Sequence, residues 1–328
     1  MKCAVFSTKP YDVDFLQKAG DLAGHEMVFY ESRLTEVTAK LAEGYDAICA
    51  FVNDELQRPT LVKIHQGGTK LIALRCAGFN QLDLRAAREL GLRAARVPAY
   101  SPHAVAEHTL ALILSLNRKI HKAYQRVRDN NFSLDGLLGF DLHGRTVGVV
   151  GTGTIGKNVV RILHGFGCEV LMYDVTPAED CLMFGNYVSL DHLLGNSEII
   201  TLHCPLNDST KYLVREESIC KMKPGVMLVN TSRGALIDTS AVIRHLKIGT
   251  LGSVALDVYE EESEIFFEDR SQSIVDDDVF SRLLTFPNVL ITSHQAFFTE
   301  QAMHEIARVT MQNLSEFEQS KNLSNSIC

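Results

Sequence analysis

No stretch of this 328-residue chain is apolar for long enough to cross a membrane: the longest apolar run, Leu110 to Leu116, is broken by Ser115, and a spanning helix needs roughly 20 such residues. A basic stripe with interleaved aromatics is also missing. The 40 acidic residues outnumber 32 basic ones for a formal net charge of −8, which argues against a nucleic-acid partner. The eight cysteines, at 3, 49, 76, 168, 181, 204, 220 and 328, form no CxxC pair. Such scatter, much of it inside apolar strand patterns, suits reduced thiols in a cytoplasmic protein. It supports neither a disulfide framework nor a metal site, and no metal is expected. Internal repeats and low-complexity tracts are absent, and the N-terminal Met1–Ser7 reads as a short strand and not as a signal peptide.

What the chain does have is an alternation of short apolar runs with helical patterns from end to end, the signature of parallel sheets with crossover helices. With 46% hydrophobic and 22% charged residues over this length, two domains can each bury a core. Strands are expected at 2–7, 27–30, 46–52, 71–75 and 93–97, then one long amphipathic helix over 102–129. After a loop the alternation restarts at Thr146–Val150. The stretch from Tyr259 to Pro287 holds nine acidic residues against Arg270 and Arg282; it reads as a solvated excursion or a subunit contact. A final helix is expected over 299–319.

Gly151-Thr152-Gly153-Thr154-Ile155-Gly156 follows the strand Thr146–Val150 directly and opens a helix. Glycines here permit a tight turn, close approach of backbone to a pyrophosphate, and close helix–strand packing, while the helix N-terminus offers free N–H groups to the phosphates. The next strand, Glu169–Tyr173, ends in Asp174, 18 residues past Gly156. That is near the roughly 20 expected for an acid that takes the ribose 2′-hydroxyl. No cation follows in Val175-Thr176-Pro177 to favour a 2′-phosphate, so the reading is NAD and not NADP. The first strand is followed by Ser7-Thr8-Lys9-Pro10-Tyr11, without glycine, and the first sheet is therefore expected to serve the substrate.

Three later strand ends carry chemistry. Thr231-Ser232-Arg233-Gly234 follows one, where Gly234 is expected to allow a tight turn; Asp257-Val258-Tyr259-Glu260-Glu261-Glu262 follows the second; and Ser293-His294 the third. Hydride transfer to a 2-keto acid needs a cation for the carboxylate and carbonyl, an acid for the forming alkoxide, and a partner that keeps the acid protonated. Arginine, carboxylate and histidine at successive strand ends fit those needs. Position alone does not choose among Glu260, Glu261 and Glu262.

The string of motifs Arg75-Cys76-Ala77-Gly78-Phe79-Asn80, Val97–Pro102, Ala104–His108, Gly151–Gly156, His203–Leu206, Val229–Asp238, Asp257–Tyr259 and His294–Phe297 resembles the D-isomer-specific 2-hydroxyacid dehydrogenase family along nearly the whole chain, and within it the fermentative D-lactate dehydrogenases. The resemblance implies two doubly wound parallel α/β domains with a cleft between them: a flavodoxin-like substrate domain over 1–99 plus 299–328, and a Rossmann NAD-binding domain over 100–298. It implies reduction of pyruvate to D-lactate, another 2-keto acid being the alternative and an NAD-sensing corepressor or scaffold a distant one. By resemblance His294 is the general acid, Glu262 its partner, and Arg233 the carboxylate and carbonyl binder. Thr154, Ile155, Cys204, Pro205, Thr231, Ser232 and Asp257 line the cofactor, with Asp257 at the nicotinamide amide. The backbone of Ala77, Gly78 and Phe79 binds the substrate carboxylate, and Tyr100 and Phe298 wall the pocket. A homodimer or homotetramer is expected.

Overall fold

The computed structural model describes residues 1–328, the Glu264 side chain excepted. The chain forms two compact units, Met1–Ser101 with Phe298–Cys328, and Pro102–Phe297. Tyr100 and Phe298 thus belong to the first unit.

In the first unit β1 (Lys2–Val5), β2 (Glu26–Phe29), β3 (Ala47–Ala50), β4 (Leu71–Leu74) and β5 (Arg93–Ala95) make one sheet in the order β2-β1-β3-β4-β5. Every pairing is parallel, and this is the flavodoxin-like order. Residues of β3 and β4 are buried throughout, as expected where helices cover both faces of a parallel sheet. The C-terminal helix Glu300–Glu318 returns to this unit: Ala307, Met311 and Leu314 share a core layer with Cys3, Val5, Cys49 and Ala73. Thr299 caps it by accepting from the Ala302 N–H at 3.3 Å.

The second unit holds β6 (Thr146–Val150), β7 (Glu169–Tyr173), β8 (Asn186–Tyr187), β9 (Ile199–Leu202), β10 (Val226–Asn230), β11 (Leu251–Leu256) and β12 (Val289–Ile291), ordered β12-β11-β10-β9-β6-β7-β8. All neighbours are parallel. The succession reverses between β6 and β9, and at such a switch point the crevice beyond the strand C-termini is where ligands bind.

Two expectations change. The single helix over 102–129 is instead two, Pro102–Arg118 and Ile120–Arg128, because Lys119 turns left-handed at φ 51°. The chain over 138–140 crosses at this break: the Asn117 side chain donates to the Phe140 carbonyl at 2.7 Å and accepts from its N–H at 2.8 Å. The acidic stretch is also more than a solvated excursion. It contributes a helix, Asp278–Leu284, and Phe266, Phe280 and Leu283 enter the core beside Leu256. Charge pattern alone hid the three apolar residues that anchor it. All eight cysteines are free thiols, and among the described residues no helix is long and apolar enough to cross a membrane.

The first unit carries a charge inside its core. Arg75, 1% exposed at the end of β4, lies 3.4 Å from Asp12 and donates to the carbonyls of Phe6 and Ser7 at 2.9 and 2.8 Å. Burial raises the carboxyl of neighbouring Asp54 above its ordinary value, against the opposing pull of Arg75 and of donors from Ser7, Phe51 and Leu34. Replacing Arg75 by leucine strands two buried acids and is expected to cost about 3–5 kcal/mol of stability. Urea unfolding followed by circular dichroism measures it, and a loss below about 1 kcal/mol would show that the acids do not depend on the arginine.

Candidate active site

The glycine turn follows β6. Gly151 sits at φ 97°, and a Cβ there would meet the Cys204 nitrogen at 2.5 Å. A Cβ on Gly156 would meet the Gly151 carbonyl oxygen at 1.9 Å. Both glycines are demanded by protein backbone. Gly153 differs: it caps the helix Thr154–Gly165, and a Cβ there would meet no protein atom within 4 Å. This arrangement, a sterically open N-cap leading into a helix that begins with Thr154 and Ile155, fits a pyrophosphate cradle.

Asp174 ends β7 beside that turn. One carboxylate oxygen accepts from the Thr152 N–H at 2.6 Å and the other from the Thr176 N–H at 2.9 Å. The Thr152 hydroxyl also meets Tyr187 at 2.7 Å. Across the switch point Cys204 is 9% exposed, and burial pushes its thiol up to about 11. Its carbonyl accepts from the Ser232 hydroxyl at 2.8 Å, and the Pro205 carbonyl from Thr210 at 2.6 Å. Thr231 is buried with its hydroxyl 2.9 Å from Thr109. The predicted cofactor residues of the second unit therefore gather at the C-terminal ends of β6, β7, β9 and β10.

Parallel β10, β11 and β12 are neighbours, so the loops after them leave from one edge of the sheet. Arg233 follows β10, its carbonyl accepting from Asn230 at 2.8 Å. Among the described residues no carboxylate lies within ion-pairing distance of its half-buried guanidinium. Gly234 is needed for a reason other than the expected turn conformation: a Cβ there would meet the Tyr259 carbonyl carbon at 2.0 Å. This glycine lets the Arg233 loop lie against the backbone after β11.

His294 follows β12. Its Nδ1 lies 2.7 Å from Glu262 Oε1, and Glu262 Oε2 accepts from the Tyr259 N–H at 3.0 Å. Glu260 is occupied elsewhere, accepting from the Thr239 N–H at 2.9 Å. Of the glutamates that the sequence left unresolved, Glu262 is therefore the one hydrogen-bonded to the imidazole. The rings of Phe267 and Phe297 stand 5.7 and 6.4 Å from that of His294.

Asp257, with no exposure, organises this corner. It accepts from the Thr292 hydroxyl at 2.5 Å and from the N–H groups of Gln295 and Ala296, both at 2.9 Å. Its carbonyl takes the His294 N–H at 2.6 Å. Burial works to raise its carboxyl, but hydrogen bonds from His108 and Thr292, the charge of His294 and the Ala296 N–H together bring it below the ordinary value. Sequence reasoning quoted the His108 motif without giving that residue a role. Its Nε2 lies 3.1 Å from Thr292 and 3.4 Å from Asp257. A histidine in a helix whose next residues, Leu110–Leu114, are wholly apolar was the available signal.

The remaining predicted residues lie in the first unit. Arg96 donates to the Ala77 carbonyl at 2.7 Å and the Cys76 thiol to that of Gly78 at 3.2 Å. Among the described residues no protein atom accepts from the N–H groups of Ala77, Gly78 or Phe79, so the loop can serve an anion. Phe298 packs edge-on against Tyr11, ring centroids 4.7 Å apart, and Tyr100 is half-buried.

Comparison with known proteins bears on this arrangement. Residues 110–296 match the model of the D-isomer specific 2-hydroxyacid dehydrogenase NAD-binding domain. D-lactate dehydrogenase of Escherichia coli (strain K12) is 51% identical over 328 residues, all of both chains. The apo-structure of D-lactate dehydrogenase from Escherichia coli superposes with a TM-score of 0.92 at 49% identity over 100% of each chain. D-lactate dehydrogenase from Aquifex aeolicus, complexed with NAD and lactic acid, gives 0.88 at 34% identity over 99% of this chain and 98% of that one.

The two glycines at the turn are expected to behave differently. Gly156→Ala should destabilise the unit, because its methyl collides with protein backbone. Gly153→Ala should keep the melting temperature yet weaken NADH binding by about tenfold or more, about 1.4 kcal/mol. Fluorescence titration with NADH checks this, and unaltered affinity in Gly153→Ala would remove the cradle from that position.

Proposed function

This chain belongs to the D-isomer-specific 2-hydroxyacid dehydrogenase family, and from that footing we propose that it is an NAD-dependent D-lactate dehydrogenase, interconverting pyruvate and D-lactate. The observation that carries the reading is the set of groups on the loops after β10, β11 and β12 at one edge of the sheet: a histidine hydrogen-bonded to a carboxylate, and an arginine for which no described carboxylate lies at ion-pairing distance.

Residues Gly151, Gly153, Thr154, Ile155, Gly156, Asp174, Cys204, Pro205, Thr231 and Ser232 would hold the dinucleotide, Asp174 taking the ribose hydroxyls and repelling a 2′-phosphate. When bound, NADH supplies a hydride to the carbonyl carbon. Arg233 holds the substrate carboxylate and polarises the carbonyl, for which a planar guanidinium suits both contacts at once. His294 is the general acid. With Nδ1 committed to Glu262, the proton that reaches the substrate oxygen leaves from Nε2. Glu262, 2.7 Å from Nδ1, orients the ring. We reassign Asp257 from a nicotinamide contact to a positioning residue: its carboxylate is taken up by Thr292, Gln295 and Ala296, the segment that carries His294. The N–H groups of Ala77, Gly78 and Phe79 serve the substrate carboxylate, and Tyr100 and Phe298 serve as pocket walls that favour a small C3 group.

We also assign self-association to the second unit. Helix Ile120–Arg128 has no buried residue, and Ile120, Tyr124, Val127, Phe132, Leu134 and Leu138 are each more than half exposed. So many large apolar side chains left in water over residues 120–138 are the kind of surface that a partner covers. Sedimentation velocity should find a homodimer or homotetramer; a monomer at micromolar concentration would end this assignment.

Purified protein should oxidise NADH on addition of pyruvate, and chiral chromatography should identify the product as D-lactate. L-lactate as product would overturn the reading. His294→Ala should lower kcat by about 10²–10⁴-fold with NADH affinity retained, since His294 lies outside the glycine turn. Retention of more than about a tenth of the parental kcat would remove His294 from the acid role.

A further inference from the structure

Outside the catalytic corner, three side chains from two helices of the second unit meet at the surface. Glu216 opens the short helix Glu216–Ile219 and Cys220 caps its end, the Cys220 N–H donating to the Glu216 carbonyl at 3.0 Å. Four residues apart on one helical turn, they share a face. His245 reaches the same place from the neighbouring helix Thr239–Ile248. One ligand atom from each lies within 4.8 Å of the others, and the His245 Nε2 stands 2.9 Å from Glu216 Oε1.

We propose that Glu216, Cys220 and His245 form a binding site for a thiophilic divalent cation of the zinc class, separate from the residues assigned to catalysis. Thiolate and imidazole favour Zn²⁺, Co²⁺ and Cd²⁺ over Mg²⁺ and Ca²⁺, which take oxygen ligands. The ligand count is that of a three-residue site completed by water. The expected absence of metal sites rested on spacing within the sequence, which does not register a ligand that arrives 25 residues after Cys220 from another helix.

The local charges are compatible with the ion. Arg244 donates to Glu216 Oε2 through Nε and Nη2 at 3.1 and 2.8 Å, leaving Oε1 to the histidine and the metal. In the absence of metal the carboxylate can only accept, which puts the imidazole proton on Nε2. Binding forms bonds from the metal to Sγ, Nε2 and Oε1. The thiol proton leaves to solvent, and the imidazole proton moves from Nε2 to Nδ1, so one proton is released per ion.

The same geometry limits affinity. His245 Nδ1 is buried and, among the described residues, has no hydrogen-bond partner, whereas ligating histidines normally donate that proton to an outer acceptor worth about 10–100-fold in affinity. The site should therefore bind more weakly than one whose histidine has such an acceptor, and exchangeably, not as a permanent structural zinc.

Titration of the full reduced chain with Co²⁺ tests this. A single equivalent should produce a thiolate-to-cobalt charge-transfer band in the near ultraviolet. Zn²⁺ should erase it, Mg²⁺ should not, and one proton should appear in weakly buffered solution. Cys220→Ser, an exposed change, should abolish the band and leave kcat for pyruvate unaltered. His245→Gln and Glu216→Gln should each weaken Co²⁺ binding by roughly tenfold or more. Because the buried His245→Gln variant can fail through misfolding, Cys220→Ser decides. No band in the parent protein, or a band that survives in Cys220→Ser, overturns the site. Loss of pyruvate reduction in the parent would count against the dehydrogenase reading and leave this one standing.

Discussion

Taking a carboxylate wholly out of water costs several kcal/mol unless donors replace the solvent, and the second unit is arranged around one such group. Asp257 receives Thr292, Gln295 and Ala296 directly, with His108 at ion-pair distance. These donors come from the segment after β12 and from the helix Pro102–Arg118. The contacts leave that segment little freedom. His294 consequently holds a left-handed backbone at φ 52°, a conformation that costs a non-glycine residue on the order of 1–3 kcal/mol. Asp257 offsets that cost by fixing the residues on both sides of it.

Orientation of the imidazole follows. With the backbone of His294 set, its Nδ1 meets Glu262, whose second oxygen is tied to the Tyr259 N–H. Gly234 completes the corner from the other side, since only a residue without Cβ allows the Arg233 loop to lie on the Tyr259 backbone. His294, Glu262 and the Arg233 loop are thus held through main chain as much as through side chains, the rigid support that a precise site requires.

The first unit solves a similar problem with the opposite sign. Arg75 at the end of β4 gives its donors to two carbonyls after β1 and to Asp12, and it stacks over Phe51 at 4.7 Å. A buried charge near the C-terminal ends of the central strands therefore orders loops in both units. In the first unit the loop so ordered is the one after β1, while the carbonyls of Ala77, Gly78 and Phe79 accept from Arg96, the Cys76 thiol and the Leu82 N–H.

Much of this was legible along the chain. Continuous apolar runs between helical patterns specify parallel strands because both faces of such a sheet are covered. The glycine turn and Asp174 could be read because phosphate and ribose impose local spacing on one βαβ unit. Arg233 and His294 stood out as polar residues at strand ends. What stayed hidden depended on residues distant in sequence. The helix breaks at Lys119 because residues 138–140 cross it; Phe266 and Phe280 pull an acidic stretch into the core; and Glu262, which the resemblance picked out but local position could not, is the glutamate that meets His294. His108 on Asp257, and His245 beside Glu216 and Cys220, belong to the same class. Sequence by itself determined the strands, the turn and the chemistry available at their ends, since each follows from local period and residue type. The tertiary structure alone decided which of those groups touch, because hydrogen bonds reach only about 3 Å, and their partners lie dozens of residues away along the chain.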